Sequence, residues 1–271
     1  MQYVQVQNTK IPALGFGTWQ LKGDTATEMV NVALDAGYRH IDTAQIYKNE
    51  EFVGAALKKS SVSRNDIFLT TKVWFDNFRD NFTESVEESL TKLGTDDVNL
   101  LLLHWPHQEL PLDAYLEKLV RVQERGLTEH IGISNFPTKL MREAHGMAPQ
   151  IVTNQVEYHP TLDQSPVLDL AREYGWGVTA YSPIGQGAVL KNDLIREIGE
   201  QYGKSPVHVA LRWLIQQDGV LAIPRSSSAD HVRDNFQIWD FELSVDDMQR
   251  IFEKTDKENR IVTPDFGPEW D

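Results

Sequence analysis

Eight short apolar segments of this chain alternate with segments of helical periodicity. The apolar runs begin near Leu14, Tyr38, Ile67, Val98, His130, Val152, Gly177 and Val220. Each run is mostly apolar rather than alternating, which is typical of parallel strands that are buried on both faces. Such alternation of strand and helix predicts an α/β fold, either a closed (β/α)8 TIM barrel or an open doubly wound sheet.

The segments between the strands carry an apolar stripe at helical spacing, as Met29, Val32, Ala33 and Ala36 do. Helices are predicted over residues 25–36, 50–59, 83–93, 111–125, 138–145, 166–174 and 206–217, and another begins near Asp230. Asp24 and either Asn81 or Thr83 are the predicted N-terminal caps. Several of these segments begin at proline and end at glycine, which is the asymmetry expected of helix ends.

The glycines of Gly15-Phe16-Gly17 help to choose between the two folds. An open dinucleotide-binding sheet places G-x-G-x-x-G directly after its first strand, but Gln20 stands where the third glycine would be. We therefore interpret these glycines as a tight strand end. A closed barrel needs roughly 250 residues, so one barrel domain is expected to span residues 1–271. A hairpin over residues 4–6 and 10–11 is predicted to close the barrel floor.

The composition restricts the classes of function. The 271 residues include no cysteine, which excludes disulfides, thiolate metal sites and thiol catalysis and suits a reducing compartment. The net charge of -14 disfavours nucleic acid and anionic membranes as partners. The first twelve residues lack the apolar core of an export signal, and no run of about 18 apolar residues occurs. We therefore expect a cytoplasmic protein, and the acidic surface favours a monomer.

Four residues suited to acid–base chemistry follow consecutive strands. Asp42, Lys72 and His104 end the second, third and fourth strands, and Tyr47 comes five residues after Asp42. Because the carboxyl ends of barrel strands open onto one mouth, these residues are predicted to converge. A carboxylate that holds an ammonium beside a phenol is expected to lower the phenol pKa from about 10. Tyr47 could then protonate a carbonyl oxygen that His104 also contacts. Taken singly, each residue could equally be structural.

Reduction of a carbonyl also needs a hydride, which side chains do not supply. Later strand ends offer groups suited to a nicotinamide cofactor: Ser134, Asn135 and Gln155 for its carboxamide, Tyr181 for stacking, and the flexible loop Ser182-Pro183-Ile184-Gly185-Gln186-Gly187 for its pyrophosphate. Arg225 and Ser226 precede the helix near Asp230 and form a candidate phosphate site. Trp19, Trp74 and Trp105 are predicted to line a substrate pocket, together with Tyr47 and His104. Ordinary turns and core packing are the competing interpretations.

At this point the chain resembles the aldo-keto reductases over almost its whole length. The matching stretches are LGFGTW (14–19), GYRHIDTAQIY (37–47), TKVW (71–74), LHWP (103–106), IGISNF (131–136), NQVE (154–157) and YSP (181–183). The resemblance implies a (β/α)8 barrel that uses NADPH, with a catalytic tetrad at Asp42, Tyr47, Lys72 and His104. It also implies that the cofactor contacts the strand-end and loop residues named above. Further implied cofactor contacts are Thr18, Trp19, Arg225, Ser226, His231, Asp234 and Asn235.

The site for the cofactor's 2′-phosphate departs from the family pattern. The family commonly has Lys-Ser after the last strand, an arginine six residues past that lysine, and then Glu-Asn. This chain has Arg225-Ser226, His231 and Asp234-Asn235 at those positions. Arg225 can still pair with a phosphate, and Arg233 lies nearby in sequence, so NADPH is the expected cofactor. Loss of one guanidinium contact costs about 1.5–3 kcal/mol, so some use of NADH is also expected.

Within the family, the short loop after Trp105-Pro106 and the ending Pro268-Glu269-Trp270-Asp271 resemble the bacterial 2,5-diketo-D-gluconate reductases, especially the B type. Those enzymes reduce diketo sugar acids and often small dicarbonyls such as methylglyoxal. A short loop and tail imply an open pocket that admits several small carbonyl substrates.

Two other functions compete with carbonyl reduction. One is a catalytically weak, NADPH-binding regulatory or sensor subunit of the same fold, against which the complete tetrad argues. The other is a metal-dependent barrel hydrolase. His40, His104 and His107 lack paired ligand spacing with a carboxylate, so no metal is expected.

Overall fold

The computed structural model describes residues 1–271, and its strands form a small hairpin followed by a barrel sheet. The antiparallel hairpin consists of β1 (Tyr3–Val6) and β2 (Thr9–Pro12). The parallel strands are β3 (Phe16–Gly17), β4 (His40–Asp42), β5 (Phe68–Val73), β6 (Val98–Leu103), β7 (Thr128–Ser134), β8 (Thr153–Glu157), β9 (Gly177–Tyr181) and β10 (Val220–Ala222). They lie side by side in chain order, so the eight predicted strands are confirmed.

The first and last strands of this sheet meet, which closes the barrel. Leu14 forms a parallel bridge with Ala222. The amide of Gly15 donates to the carbonyl of Ala222 over 2.8 Å, and the amide of Gly17 donates to that of Pro224 over 3.0 Å. Closure leaves no unpaired sheet edge and brings every strand end to one mouth. The closed (β/α)8 barrel is therefore the correct one of the two predicted folds.

Ten α-helices accompany the strands. They are α1 (Gly23–Ala36), α2 (Glu50–Lys59), α3 (Phe82–Leu93), α4 (Leu112–Glu124), α5 (Thr138–Met147), α6 (Ser165–Tyr174), α7 (Asp193–Tyr202), α8 (Pro206–Ile215), α9 (Ala229–Asn235) and α10 (Val245–Phe252). The predicted helices are all present, with ends shifted by two residues at most, and α9 is the helix expected near Asp230. The sequence pattern did not predict α7 and α10. No helix is both long and apolar enough to cross a membrane.

Two predicted helix caps differ from the structure. Lys22, not Asp24, occupies the N-cap position of α1, and Asp24 lies inside the first turn. There its carboxylate still faces the positive end of the helix dipole. Asn81 is at the N-cap position of α3 as predicted, but its side chain makes no capping hydrogen bond. Its amide instead donates to Oδ1 of Asn77 over 2.6 Å.

The hairpin closes the end of the barrel opposite the mouth, as predicted. Val6 and Ile11 are buried in one cluster with Phe68, Leu100, Leu102, Val152 and Leu221. Full burial of each such side chain contributes about 1.5–3 kcal/mol. This apolar floor leaves the barrel open to ligands only at the carboxyl ends of its strands.

Gly15 and Gly17 allow β3 to approach its neighbours closely. A Cβ atom at Gly15 would lie 2.7 Å from Nδ1 of His40, and one at Gly17 would lie 2.9 Å from the carbonyl oxygen of Ile223. Any larger residue would push the strands apart. These glycines therefore belong to the barrel wall, in line with their interpretation as a tight strand end.

Candidate active site

A cleft of about 580 Å³ opens at the carboxyl ends of the strands. Most of the predicted site residues line it: Trp19, Asp42, Tyr47, Trp74, His104, Trp105, Ser134, Asn135, Gln155, Tyr181, Ser182, Pro183, Gln186 and Arg225. Lys72 lies just beneath, with no exposed surface. Thr18, Gly185, Gly187, Ser226, His231, Asp234 and Asn235 do not line the cleft. No group of three or more His, Cys, Asp or Glu side chains is placed to hold a metal ion.

Lys72 is held at the base of the cleft by a buried ion pair. Its Nζ atom donates to Oδ1 of Asp42 over 2.5 Å and to the carbonyl of Thr43 over 2.9 Å. The third contact, 3.5 Å long, is to the phenol oxygen of Tyr47. An ammonium has three hydrogens to donate, so each has a partner. A buried ion pair is tolerated only when its geometry and remaining hydrogen bonds are satisfied, as they are here.

Tyr47 sits on a short 3-10 turn, Gln45–Tyr47, which two polar neighbours fix to the barrel. The Asn49 amide donates to the carbonyls of Thr18 and Leu21 over 2.9 and 3.0 Å and accepts from the Thr43 hydroxyl over 2.8 Å. Asn49 is completely buried. The chain therefore returns to the cleft with the phenol directed at Lys72.

Gln45 holds the neighbouring loop after β5, which carries Trp74 and Asn77, in place. Its Oε1 atom accepts from the backbone amide of Trp74 and from Nδ2 of Asn77, both over 2.9 Å. Its Nε2 atom donates to the carbonyl of Ser85 over 3.0 Å. Sequence reasoning missed Gln45 and Asn49, and the only available signal was two amide side chains flanking Tyr47 on a strand-end loop.

The amides predicted to hold a carboxamide also support the tetrad. Nε2 of Gln155 donates to Oδ2 of Asp42 over 2.8 Å. Nδ2 of Asn135 donates to the backbone carbonyl of His104 over 3.0 Å, and its Oδ1 accepts from the Tyr181 hydroxyl over 2.8 Å. Asn135 has a left-handed backbone with φ of 65°. For a residue other than glycine this conformation is strained, and such strain is concentrated at functional sites.

The pKa of Tyr47 differs from the prediction. Burial, followed by the negative charge of Asp42, raises the pKa of the Tyr47 phenol well above its usual value, whereas Lys72 was expected to lower it. Burial outweighs the ammonium of Lys72, whose charge is offset by Asp42 at 2.5 Å, closer than Tyr47 at 3.5 Å. Burial also lowers the pKa of Lys72, although Asp42 opposes this.

His104 carries a neutral ring at the cleft. Burial, and then the positive charge of Lys72, holds the pKa of His104 well below its usual value. Its Nδ1 atom is buried without a hydrogen-bond partner. A neutral imidazole donates one hydrogen bond and accepts another, so this ring can bind a ligand oxygen but holds no spare proton.

The predicted phosphate site lies where β10 leads into α9. Nε of Arg225 donates to the carbonyl of Trp19 over 2.9 Å. Ser228 caps α9, because its hydroxyl accepts from the amide of His231 over 3.5 Å. The His231 side chain is exposed. Arg233 pairs with Asp230 over 3.5 Å on the surface.

The loop predicted to be flexible after β9 continues into a 3-10 segment, Gly185–Lys191. Ser182 and Gln186 both have left-handed backbones, with φ of 47° and 50°. Ser182, Pro183 and Gln186 line the cleft, whereas Gly185 and Gly187 do not. The 3-10 segment is interrupted by a kink at Gln186 and Gly187, so hydrogen-bonded but irregular turns occupy part of the segment expected to wrap the pyrophosphate.

The C-terminal tail forms a wall of the cleft that sequence reasoning missed. Val262, Pro264 and Phe266 line the cleft. The ring of Phe266 packs edge-on against Trp74 and Trp105, with centroids 5.7 and 5.4 Å away. The short tail thus encloses one side of the pocket rather than leaving it open as expected. An aromatic residue in a polar, proline-containing tail was its only signal.

The chain is similar to known proteins. The sequence profile of the "Aldo/keto reductase family" matches residues 13–256. The chain is 38% identical over 267 residues to methylglyoxal reductase DkgB of Escherichia coli O157:H7, covering 96% of this chain and 99% of the relative. A Mycolicibacterium smegmatis aldo-keto reductase is 40% identical over 248 residues, covering 89% of this chain and 88% of the relative.

Two solved structures share the architecture. A crystal structure provisionally named as a 2,5-diketo-D-gluconic acid reductase B superposes with a TM-score of 0.97 at 46% identity, covering 100% of this chain and 98% of the other. The aldose reductase of Schistosoma japonicum superposes with a TM-score of 0.90 at 28% identity, covering 94% of this chain and 92% of the other.

Proposed function

The chain belongs to the aldo/keto reductase family, whose members reduce carbonyl groups, and we propose that it reduces small dicarbonyls such as methylglyoxal with NADPH, using Tyr47 as proton donor. The observation that carries this proposal is the position of the Tyr47 phenol in an aromatic cleft, 3.5 Å from the buried ammonium of Lys72. The names of the E. coli relative and of the reductase B structure support the substrate class.

The groups along the cleft fit a nicotinamide dinucleotide. Arg225 supplies a cation for phosphate in a protein whose net charge is -14. Ser134, Asn135 and Gln155 line the cleft with hydroxyl and amide groups that suit a carboxamide, and the ring of Tyr181 borders the same space. Reduced nicotinamide bound there would supply the hydride to the carbonyl carbon.

Tyr47 supplies the proton that completes the reduction. Its raised pKa keeps the phenol protonated throughout the neutral pH range, so the donor is always ready. As the substrate oxygen gains negative charge it becomes a much stronger base than a phenolate, and the O–H bond of Tyr47 breaks in its favour. The charge of Lys72 stabilises the resulting tyrosinate, and Asp42 keeps Lys72 in place.

His104 positions the substrate oxygen rather than protonating it. A ring with a pKa well below its usual value is neutral at pH 7 and therefore has no acidic proton to give. It can still donate one hydrogen bond to the carbonyl oxygen, which fixes the angle of approach. The ring centroids of Tyr47 and His104 are 5.6 Å apart, so both can reach one oxygen.

The cleft walls favour a small, uncharged dicarbonyl over a sugar acid. Trp19, Trp74, Trp105 and Phe266 are apolar, and Arg225 is the only cationic side chain that lines the cleft. Because Arg225 is expected to bind the cofactor phosphate, the cleft offers no further cation to pair with a substrate carboxylate. We infer that methylglyoxal has a higher kcat/KM than 2,5-diketo-D-gluconate, although the same residues can reduce both.

The direct test is turnover by the purified protein. Consumption of NADPH, followed by the absorbance of the reduced nicotinamide, is measured with methylglyoxal, 2,5-diketo-D-gluconate and a simple aldehyde, and repeated with NADH. The expected result is turnover of all three with NADPH, fastest for methylglyoxal, and slower turnover with NADH. A protein that binds NADPH but turns over none of these carbonyls would be a sensor or regulatory subunit instead.

A further inference from the structure

The carboxylate of Glu157 contacts the C-terminal tail from inside the barrel. Glu157 is the last residue of β8 and is completely buried. Its Oε1 atom accepts from the backbone amide of Ile261 over 2.9 Å, and its Oε2 atom accepts from that of Val262 over 2.8 Å. The two oxygens of the buried Glu157 carboxylate thus accept hydrogen bonds from consecutive backbone amides of the tail. Paired hydrogen bonds of this kind stabilise the tail segment and also fix its position.

Apart from the aromatic packing of Phe266 and Trp270, few other contacts hold the tail in place. Residues 260–271 form no helix or strand, so their backbone amides have no sheet or helix partners. Gln108 makes two long contacts, of 3.4 and 3.3 Å, with the carbonyls of Asp265 and Gly267. At the far end the carboxylate of Asp271 accepts from the backbone amide of Thr138 over 2.8 Å. Glu157 therefore provides the charge-assisted anchor nearest the cleft.

The anchored segment carries a wall of the cleft. Val262, Pro264 and Phe266, hereafter the tail wall, face the same space, and a turn closed by the hydrogen bond from the Gly267 amide to the Pro264 carbonyl places Phe266 there. The amide of Val262 is bonded to Glu157, so the anchor acts on the first residue of the wall. Any shift of the segment therefore changes the width of the pocket beside Trp74 and Trp105.

The surroundings of Glu157 keep it charged. Burial tends to raise the pKa of this carboxyl, but hydrogen bonds from His159 and from the amides of Val262 and Ile261 outweigh burial and lower it. Nε2 of His159 lies 3.0 Å from Oε1. The guanidinium of Arg260, stacked 3.8 Å above the ring of Trp270, adds further positive charge.

We propose that Glu157 is a positioning residue that fixes the tail wall and thereby sets the size of carbonyl substrate that reaches Tyr47. This inference rests on the proposed reductase function. Glu157 makes no hydrogen bond with Asp42, Tyr47, Lys72 or His104, and although its charge acts on Tyr181 in the neighbouring strand, its side chain accepts backbone hydrogen bonds only from the tail.

The test is the Glu157→Gln variant, which keeps the shape of the side chain but turns an NH2 group toward one tail amide. The matched control is Glu173→Gln, which changes an exposed carboxylate on α6. Loss of one charge-assisted hydrogen bond predicts a rise of about ten-fold in KM for methylglyoxal. Because the tetrad is untouched, kcat and the Kd of NADPH should stay within about two-fold of the wild-type values. The ratio of kcat/KM for a bulky aromatic aldehyde to that for methylglyoxal should rise.

Two further measurements test the role of Glu157. Amide hydrogen exchange at Ile261 and Val262 should be faster in Glu157→Gln than in wild type, and this readout does not depend on turnover. Phe266→Ala, which removes part of the wall without touching its anchor, should change substrate selectivity in the same direction even if Glu157→Gln fails to fold. Unchanged selectivity together with unchanged exchange in Glu157→Gln would overturn the role of Glu157. Absence of turnover in the wild type would instead overturn the reductase function.

Discussion

The Nζ atom of Lys72 lies 3.5 Å from the phenol oxygen of Tyr47, at the base of the cleft in the barrel mouth. The same ammonium lies 2.5 Å from Asp42, and burial together with the charge of Asp42 raises the pKa of the resting Tyr47 phenol well above its usual value. Lys72 is therefore placed to act on the tyrosinate that forms during proton transfer. Stabilising the tyrosinate also favours ionisation of the phenol, so Lys72 acts against the effect of burial, and this support matters most as negative charge develops on Tyr47 during proton transfer.

Replacement of Lys72 by Met should remove this stabilisation. Loss of a general acid's electrostatic support is expected to lower kcat by about 10²–10³. Because Asp42 is then left buried and unpaired, the free energy of unfolding should also fall by about 3–5 kcal/mol. Lys204→Met is the control, since Lys204 pairs with the largely exposed Asp240. Steady-state kinetics and urea unfolding measure the two effects, and a Lys72→Met enzyme with wild-type kcat would contradict the role of the ion pair.

Protonation of His40 should make the fold sensitive to acid. Burial, opposed in part by Asp42, lowers the pKa of His40 from 6.5 to about 4. Below pH 6.5 the unfolded chain binds a proton that the folded protein excludes, so stability is full above that pH and is lost as the pH falls toward 4. The loss from this residue is about 3 kcal/mol. Denaturant unfolding at several pH values measures it.

The comparison variant for this titration is His40→Asn. It should be less stable at pH 7, because it loses the 3.1 Å hydrogen bond to Thr70 and packing against Phe68. Its stability should nevertheless fall less steeply between pH 6.5 and 4 than that of the wild type. Equal slopes in the two proteins would assign the acid sensitivity to other groups, such as His104.

Substitutions at the candidate phosphate site should change the preference for NADPH over NADH. Arg225→Ala is expected to weaken NADPH binding by about ten-fold or more and to leave NADH binding nearly unchanged, because only NADPH carries the 2′-phosphate. His231→Arg should shift the preference further toward NADPH. The ratio of kcat/KM for the two cofactors is the measurement. Arg233→Ala serves as the control, since Arg233 pairs with Asp230 instead; an equal effect of Arg233→Ala and Arg225→Ala would show that the phosphate lies elsewhere.

Gln45 should affect both stability and substrate binding. Gln45→Ala leaves the amide of Trp74 and the side chain of Asn77 without their acceptor. Unsatisfied buried groups cost about 1–3 kcal/mol, so the unfolding midpoint in urea should decrease. The loosened Trp74 should raise KM for methylglyoxal more than it changes kcat. The control is Gln201→Ala, on the exposed face of α7, which should change neither the unfolding midpoint nor KM. An unchanged KM in Gln45→Ala would show that Gln45 does not position the substrate cleft.

The structural features that depend on the local sequence pattern were predictable from the sequence. Eight apolar runs and helices such as α3 were recognisable, whereas α10 was missed although Met248, Ile251 and Phe252 pack toward the core, because it follows the last strand, outside the alternation of strand and helix. Asp42 and Lys72 were recognisable because strand ends converge in a barrel. Glu157 and Phe266 were not, because a residue of β8 and the tail meet only through the closed fold. The direction of the Tyr47 pKa likewise depends on burial, which no local pattern shows.

The most direct test of the catalytic role of Tyr47 is single-turnover reduction of methylglyoxal by NADPH-loaded Tyr47→Phe. Tyr3→Phe, at an exposed position outside the cleft, is the matched control. Loss of the proton donor should slow NADPH oxidation by at least about 10² while the Kd of NADPH stays within about two-fold of the wild-type value. Oxidation of NADPH at the wild-type rate in Tyr47→Phe would contradict the assignment of Tyr47 as the acid.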